Sequence, residues 1–403
     1  MLNRVRTASA LLLWAALLAS RGLFAQEPAT GPLPVTTEEL VARLRPLDLR
    51  YVQPDPDFLA PPPGVKALYV NAWAFGSNKL WHLIQLADET EVNALVVDVK
   101  DDTGCLLYES TVATARDIGA NRCLRARDAR ARLDSLHAHG IHAIARIVVA
   151  KDPMLAEGKP GWSVRDIGGG LWRDRINSAW VDANNDSVWI YAAQLAAEAV
   201  GMGFQEVQFD YVRFPDEPRE RMATAIFAAR RSGESQRETV RRQVRSVKQR
   251  LEPLGVPVTF DIFGLTASAK PGTDLGIGQV WEDFITTADV VLPMVYPSHY
   301  GRGAYGIAWP NGAPYRVVRR ALEEAINRSQ LEGAAEIRPY LQAFTLGRRL
   351  PRYTPHEIRE QIRAAEDVGI HSWVLWNPRS VYQRDALRPY RVNASAVSAT
   401  ETP

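Results

Sequence analysis

The chain has 403 residues, 46 % of them apolar, enough to bury one large core or two medium ones. Lys plus Arg number 48 and Asp plus Glu number 46, a formal charge of +2. That balance argues against the strongly basic surface a nucleic-acid binder needs, and no nucleic-acid partner is expected.

The first 25 residues have the order of a secretory signal. Arg4 and Arg6 precede an apolar run from Ala8 to Leu18, and Leu23-Phe-Ala25 follows with the small Ala25 at a suitable position. Cleavage after Ala25 is expected, giving a secreted or periplasmic protein. The run is shorter than the ~20 residues a bilayer span requires, so no membrane association is expected after signal removal. Residues 26–63 are Pro-rich and end in Pro61-Pro-Pro63, which reads as a linker with one short helix near Thr37–Leu44. Residues 383–403 turn small and polar and are expected to form a disordered tail.

Between these ends lie eight short apolar runs bounded by turn residues, as buried parallel strands are. They are 67–72, 94–100, 142–149, 206–214, 258–264, 290–297, 338–344 and 372–377. Helical stretches separate them. Ser187–Val200 places Val188, Tyr191, Ala192, Leu195 and Ala199 on one face. Thr354–Val368 opens with an N-cap, a Pro at the first helical position and Glu357 three residues after the cap. Gly140, Gly203, Gly255 and Gly369 each follow a helix and precede a strand. This alternation predicts a (β/α)8 TIM barrel over residues 64–382. The connection after strand three, roughly 150–185, is unusually long, contains Gly168-Gly-Gly170 and three Trp, and is expected to fold over the barrel mouth.

In such a barrel, polar residues at the carboxyl ends of strands face the catalytic mouth. Three strands carry an Asp there: Asp98, Asp210 and Asp261. Strand parity puts Val96, Asp98 and Lys100 on one face, Gln208 with Asp210, and Thr259 with Asp261. An unpaired charge is too costly to bury, so these carboxylates must sit at the open end or pair with Lys100, Arg146 or Arg213. A carboxylate pair at that level has the chemistry for cleaving a glycosidic bond, one stabilising the oxocarbenium-like centre and one protonating the leaving oxygen. Trp73, Tyr296 and Trp376 at or beyond strand ends can stack on sugar rings, and Gln342 and Asn377 can bind hydroxyls or buttress neighbours. Neither a metal nor a cofactor is expected. The single His cluster, His137, His139 and His142, belongs at the amino end, and no nucleotide-binding or hydrolase motif is present. The Arg-rich run 230–250 is interleaved with Glu and reads as a solvated helix. Cys105 and Cys123 can pair in an exported protein or remain thiols.

Several segments together resemble a bacterial glycoside hydrolase family first defined as a domain of unknown function. They are Ala94-Leu-Val-Val-Asp98-Val-Lys-Asp-Asp-Thr-Gly104, Val207-Gln-Phe-Asp210-Tyr-Val-Arg213-Phe-Pro215, Asp261-Ile-Phe-Gly264, Leu292-Pro-Met-Val-Tyr-Pro297 and Trp373-Val-Leu-Trp-Asn377, with shorter matches at Val70-Asn-Ala72 and Ala145-Arg146-Ile-Val148. The resemblance implies a TIM barrel distantly similar to α-amylase-like glycosidases. It places the nucleophile at Asp210; the usual acid is a Glu after strand five, where this chain has Asp261. The expectation is an exported glycoside hydrolase acting on a polysaccharide or oligosaccharide. The rival is a carbohydrate-binding barrel without hydrolytic activity.

Overall fold

Eight strands pair edge to edge, all parallel: β1 (Lys66–Val70), β2 (Ala94–Lys100), β3 (His142–Val148), β4 (Glu206–Asp210), β5 (Val258–Phe263), β6 (Val290–Met294), β7 (Tyr340–Gln342) and β8 (Trp373–Trp376). The ring closes where Lys66 of β1 pairs with Trp373 of β8 and where Tyr340 of β7 meets Met294 of β6. The computed structural model describes residues 60–347 and 351–390. The signal segment, most of the linker with its short helix, and the chain beyond residue 390 lie outside the described residues.

Strands buried on both faces need apolar residues at both parities, which is why they read as continuous runs. One parity points into the barrel, where Ala67, Tyr69, Val96, Ile144, Leu292 and Val374 pack together. The other, including Leu68, Val97, Ala145, Val207 and Phe260, meets the surrounding helices. Those helices are α1 (Lys79–Glu89), α2 (Ala129–Ala138), α3 (Asp186–Met202), α4 (Gln236–Leu251), α5 (Trp281–Ile285), α6 (Pro314–Arg328) and α7 (Pro355–Glu366). Their ends follow local chemistry. Thr354 and Glu357 form the reciprocal capping box on α7, and Gly203 closes α3 at φ +117°, a left-handed conformation that Cβ-bearing residues resist. On α4, the Arg-rich run turns Val240, Val244, Val247 and Leu251 inward and its charges outward. Each fully buried Val or Leu is worth about 1.5–3 kcal/mol, so Val244→Asp would detach this helix.

Several strands stop earlier than their apolar runs. β1 ends at Val70 because Asn71 turns to cap a short helix, accepting a hydrogen bond from the Ala74 amide at 2.8 Å. β7 begins only at Tyr340, since Pro339 interrupts it and offers no backbone donor. β4 ends at Asp210 because Tyr211 turns left-handed, φ +54°. Beyond Tyr382, where the tail was expected to begin, the chain stays folded to Tyr390. Its turn Arg384–Ala386 leads into a return strand-like bridge between Thr90 and Pro389, with Arg388 accepting from the Glu91 amide at 2.9 Å.

The segment after β3 is folded, with a helix at Pro153–Gly158 and a ladder in which Arg165–Asp166 pairs antiparallel with Ala225–Ile226 from the loop after β4. Cys105 and Cys123 form a disulfide across the β2–α2 connection. At the amino end of the barrel, Glu206 accepts from Arg338 at 2.7 Å and lies 3.5 Å from His142. All three are buried. Among the described residues no helix is long and apolar enough to cross a membrane.

Candidate active site

A cavity of about 490 Å³ opens at the carboxyl ends of the strands. Its floor is built around Arg146. β3 carries this guanidinium inward on the same parity as His142 and Ile144, level with Asp98 of β2 and Gln208 of β4. Arg146 donates to Asp98 Oδ1 through Nη1 and to Asp210 Oδ2 through Nη2, both at 2.5 Å, and its Nε lies 3.6 Å from Asp261 Oδ2. Tyr69 donates its hydroxyl to the other Asp98 oxygen at 2.5 Å. Gln208 Nε2 donates to Asp261 Oδ2 at 3.0 Å and to the Tyr340 hydroxyl oxygen at 2.6 Å. The three strand-end aspartates are thus gathered on one cation.

One guanidinium cannot balance three buried carboxylates. Burial raises Asp98 to about 6, against the pull of Arg146 and Tyr69. Burial, and then the negative charge of Asp210, push Asp261 well above the usual carboxylate range. Asp210 accepts from Arg146 and, on its other oxygen, from the Tyr211 amide at 2.5 Å. The left-handed turn at Tyr211 supplies that amide and brings the Tyr211 ring to the cavity wall. Strain of this kind, roughly 1–3 kcal/mol, persists where surrounding contacts over-determine it.

Aromatic and loop residues form the walls. Tyr296 and Trp376 line the cavity, and Trp376 stacks on Tyr69 at 3.7 Å between ring centroids. The segment after β3 contributes Asp174, Arg175, Ile176 and Trp180, so it does fold over the mouth. Glu217, from the loop after β4, lines the cavity with its side chain 5 % exposed, between Arg175 and Arg221. Arg213 lines it too, but ion-pairs with none of the three aspartates. The cation on Asp210 is Arg146.

Five expected site residues lie outside the cavity lining; one is Asp98, which is 2 % exposed and sits behind the Arg146 guanidinium. Parity places Lys100 beside Asp98, but the β2–β3 register shifts between Asp98 and Lys100. That irregularity turns the Lys100 ammonium toward Asp152, at 2.5 Å, with Tyr191 of α3 at 5.5 Å. The Asp101-Asp-Thr-Gly104 turn serves the same contact: Gly104 has φ +85°, and a Cβ there would come within 2.4 Å of Asp152 Oδ1. Gln342 holds backbone, accepting from the Ser298 amide and donating to Phe344 O. Asn377 donates to Ala343 O at 2.7 Å. Trp73 is 66 % exposed and stacks under Arg125.

Tyr69, Tyr340, Tyr211, Lys151, Trp180 and Glu217 escaped the sequence reading. Inward parity on β1 and β7 was a usable signal for the first two. The others depend on loop placement. Among the described residues no cluster of three or more His, Cys, Asp or Glu is arranged to hold a metal ion.

A family described as "Putative glycosyl hydrolase domain" matches residues 67–382. No curated protein matches the chain. Among solved structures, a hypothetical protein from Ruminiclostridium thermocellum is 37 % identical, covering 48 % of this chain and 96 % of its own, with a TM-score of 0.44. The α-L-fucosidase isoenzyme 2 of Paenibacillus thiaminolyticus is 14 % identical, covering 80 % of this chain and 48 % of its own, with a TM-score of 0.51; that likeness supports the barrel fold. The glycoside hydrolase domain of PelA from Pseudomonas aeruginosa is also similar, at 14 % identity over 80 % of this chain and 97 % of its own, with a TM-score of 0.44.

Proposed function

The chain belongs to this glycosyl hydrolase domain family, and from that premise we propose that it cleaves glycosidic bonds with Asp210 and Asp261 as its carboxylate pair. One observation carries the reading. Two carboxyls at the cavity floor lie in opposed environments, Asp210 against the Arg146 cation and Asp261 buried and pushed toward the protonated form. Environments that separate a carboxyl pair in this way divide base from acid.

Asp210 is the nucleophile or stabiliser of the developing oxocarbenium charge, which requires its ionised form. Asp261 carries the proton for the leaving oxygen. Arg146 positions Asp210 and keeps it from repelling Asp98. The aromatic walls at Tyr211, Trp180, Tyr296 and Trp376 offer flat faces to sugar rings. Adjacent strands stand ~4.8 Å apart, so inward carboxyls on β4 and β5 approach the ~5–5.5 Å separation of retaining enzymes, and retention of anomeric configuration is the expected outcome.

The site of action is outside the cytoplasm, on a polysaccharide or oligosaccharide. The signal-like first 25 residues support this, and so does the Cys105–Cys123 disulfide, since such bonds persist in oxidising compartments. The test is a polysaccharide panel read by new reducing ends, with Asp210→Asn protein as the control and NMR of the first product anomer. Reducing ends released equally by both proteins would remove Asp210 from the chemistry, and an inverted first product would remove the Asp210–Asp261 pairing. An N-terminus found intact at Met1 by mass spectrometry would remove export.

A further inference from the structure

The cations that line the cavity are matched to carboxylates, with one exception. Arg146 is shared by the aspartates of the floor. Lys151 holds Asp102 at 2.6 Å, and Arg175 lies 3.4 Å from Glu217. Arg213 is 9 % exposed and donates through Nη1 to the Phe214 carbonyl at 3.0 Å. Among the described residues no carboxylate lies within ion-pair reach of it. Its guanidinium sits instead among ring faces, 4.7 Å from the centroids of Tyr211 and Phe263 and 5.2 Å from that of Trp180. Ring faces return only part of what burying a guanidinium costs. Burial pulls Arg213 below its ordinary value; Tyr211, Asp210 and Asp216 draw it back only in part, and the nearby Arg175 guanidinium adds a little repulsion.

We propose that Arg213 is a subsite for an acidic sugar, its guanidinium, held by the Trp180, Tyr211 and Phe263 rings, taking the carboxylate of a substrate residue in the cavity. A planar fork of donors fits a carboxylate in two parallel hydrogen bonds, and a neutral hydroxyl leaves the charge uncompensated. The subsite rests on the glycosidase reading for its location, since it lies in the same cavity as Asp210. Asp174, Asp216 and Glu217 line the same walls, so it is the Arg213 fork itself, and not a general positive field, that draws the acidic substituent away from the carboxylates of the floor.

Binding without turnover separates the two ideas. Methyl glucuronide against methyl glucoside, methyl galacturonide against methyl galactoside, and N-acetylmuramate against N-acetylglucosamine form matched pairs for titration calorimetry on the full chain. In at least one pair the acidic member should bind about tenfold or more tightly, and Arg213→Met should erase that preference. The pair that responds tells a ring carboxylate from a lactyl one. Equal affinity across all pairs would overturn the subsite while leaving hydrolysis of neutral glycans intact. Acid preference in a protein that hydrolyses nothing would keep the subsite and sink the glycosidase. A preference that survives in folded Arg213→Met would assign it elsewhere. If that variant does not fold, Arg213→Lys, which keeps the charge without the fork, must weaken the preference; an undiminished preference overturns the proposal.

Discussion

Strands β3 and β4 carry ionisable side chains at both of their ends, and the two ends are neutralised in different ways. At the amino end, Glu206 meets Arg338 at 2.7 Å with His142 beside it, the one buried carboxylate on that guanidinium, while the exposed Glu336 lies 3.8 Å from its Nε. Four residues further along each strand, Arg146 and Asp210 belong to a floor where Asp98 and Asp261 also press on the single guanidinium. The balanced end does what a buried ion pair can do: it fills the barrel and fixes register. The unbalanced end keeps three carboxyls on one guanidinium beneath an open cavity, with Asp261 pushed toward its protonated form. In the proposed glycosidase reaction, that surplus of carboxyls would stabilise an oxocarbenium-like transition state, which is positive and needs a proton at its leaving group.

If the amino end is structural, breaking its pairing should give the largest effect on folding. Arg338→Met strands Glu206 without its cation and should cost about 3–5 kcal/mol, measured by chemical denaturation. The double variant with Glu206→Gln should recover part of it. Turnover per folded molecule should not change; a selective loss of turnover would erase the distinction between the ends.

The carboxyl end should respond in the other observable. Asp210→Asn keeps the shape and removes the charge, and should cut turnover by on the order of 10²-fold or more, about 2.7–4 kcal/mol of transition-state stabilisation. Melting should move little, because Arg146 retains Asp98. A collapsed melt would make Asp210 structural as well.

The disulfide belongs to the loops of the open end. Replacing Cys105 and Cys123 by Ser removes a crosslink over a sequence separation of 18. The expected destabilisation is about 3 kcal/mol, read by denaturant midpoint. An unchanged midpoint would show that these loops are held by packing alone.

The smallest effect is a slope, and its sign differs between the ends. Burial opposes the Glu206 charge, but Arg338 and His142 outweigh it and hold its carboxyl below the ordinary value. Glu206 therefore contributes stability above pH ~4.5 that is lost as pH falls through its folded value. Asp98 is raised to about 6, so its contribution runs the other way. The folded state loses stability as pH rises from about 4 to about 6, by at most about 1.4 kcal/mol per pH unit, and the full penalty holds above that. Stability against pH in Asp98→Asn should lack this slope; an unchanged curve would mean Asp98 does not titrate there.

The barrel was legible because each strand–helix unit carries its own punctuation: an apolar run, a helical stripe and a closing Gly such as Gly203. Asp98, Asp210 and Asp261 were legible because parity and strand-end position are local properties. Lys100 was misread because parity assumes an unbroken ladder, and the slip after Asp98 is fixed by pairing with β3 rather than by β2's own residues. His142 read as part of a His cluster, since its neighbour Glu206, and the Arg338 that pairs with Glu206, lie far along the chain. Glu217, Trp180 and Lys151 were out of reach for the same reason: loops are placed by contacts whose partners no local pattern names.

The short antiparallel ladder between Arg165–Asp166 and Ala225–Ile226 joins the loop after β3 to the loop after β4. The wall bearing Trp180 and Arg175 and the wall bearing Arg213 and Glu217 are therefore stitched into one piece. Anyone wishing to re-tailor this barrel for another glycan must transplant both loops together, because either alone would arrive with half a seam. The same stitching gives natural divergence a two-part unit of inheritance, in which a change on one side of the ladder is tolerated only when the other side can still meet it.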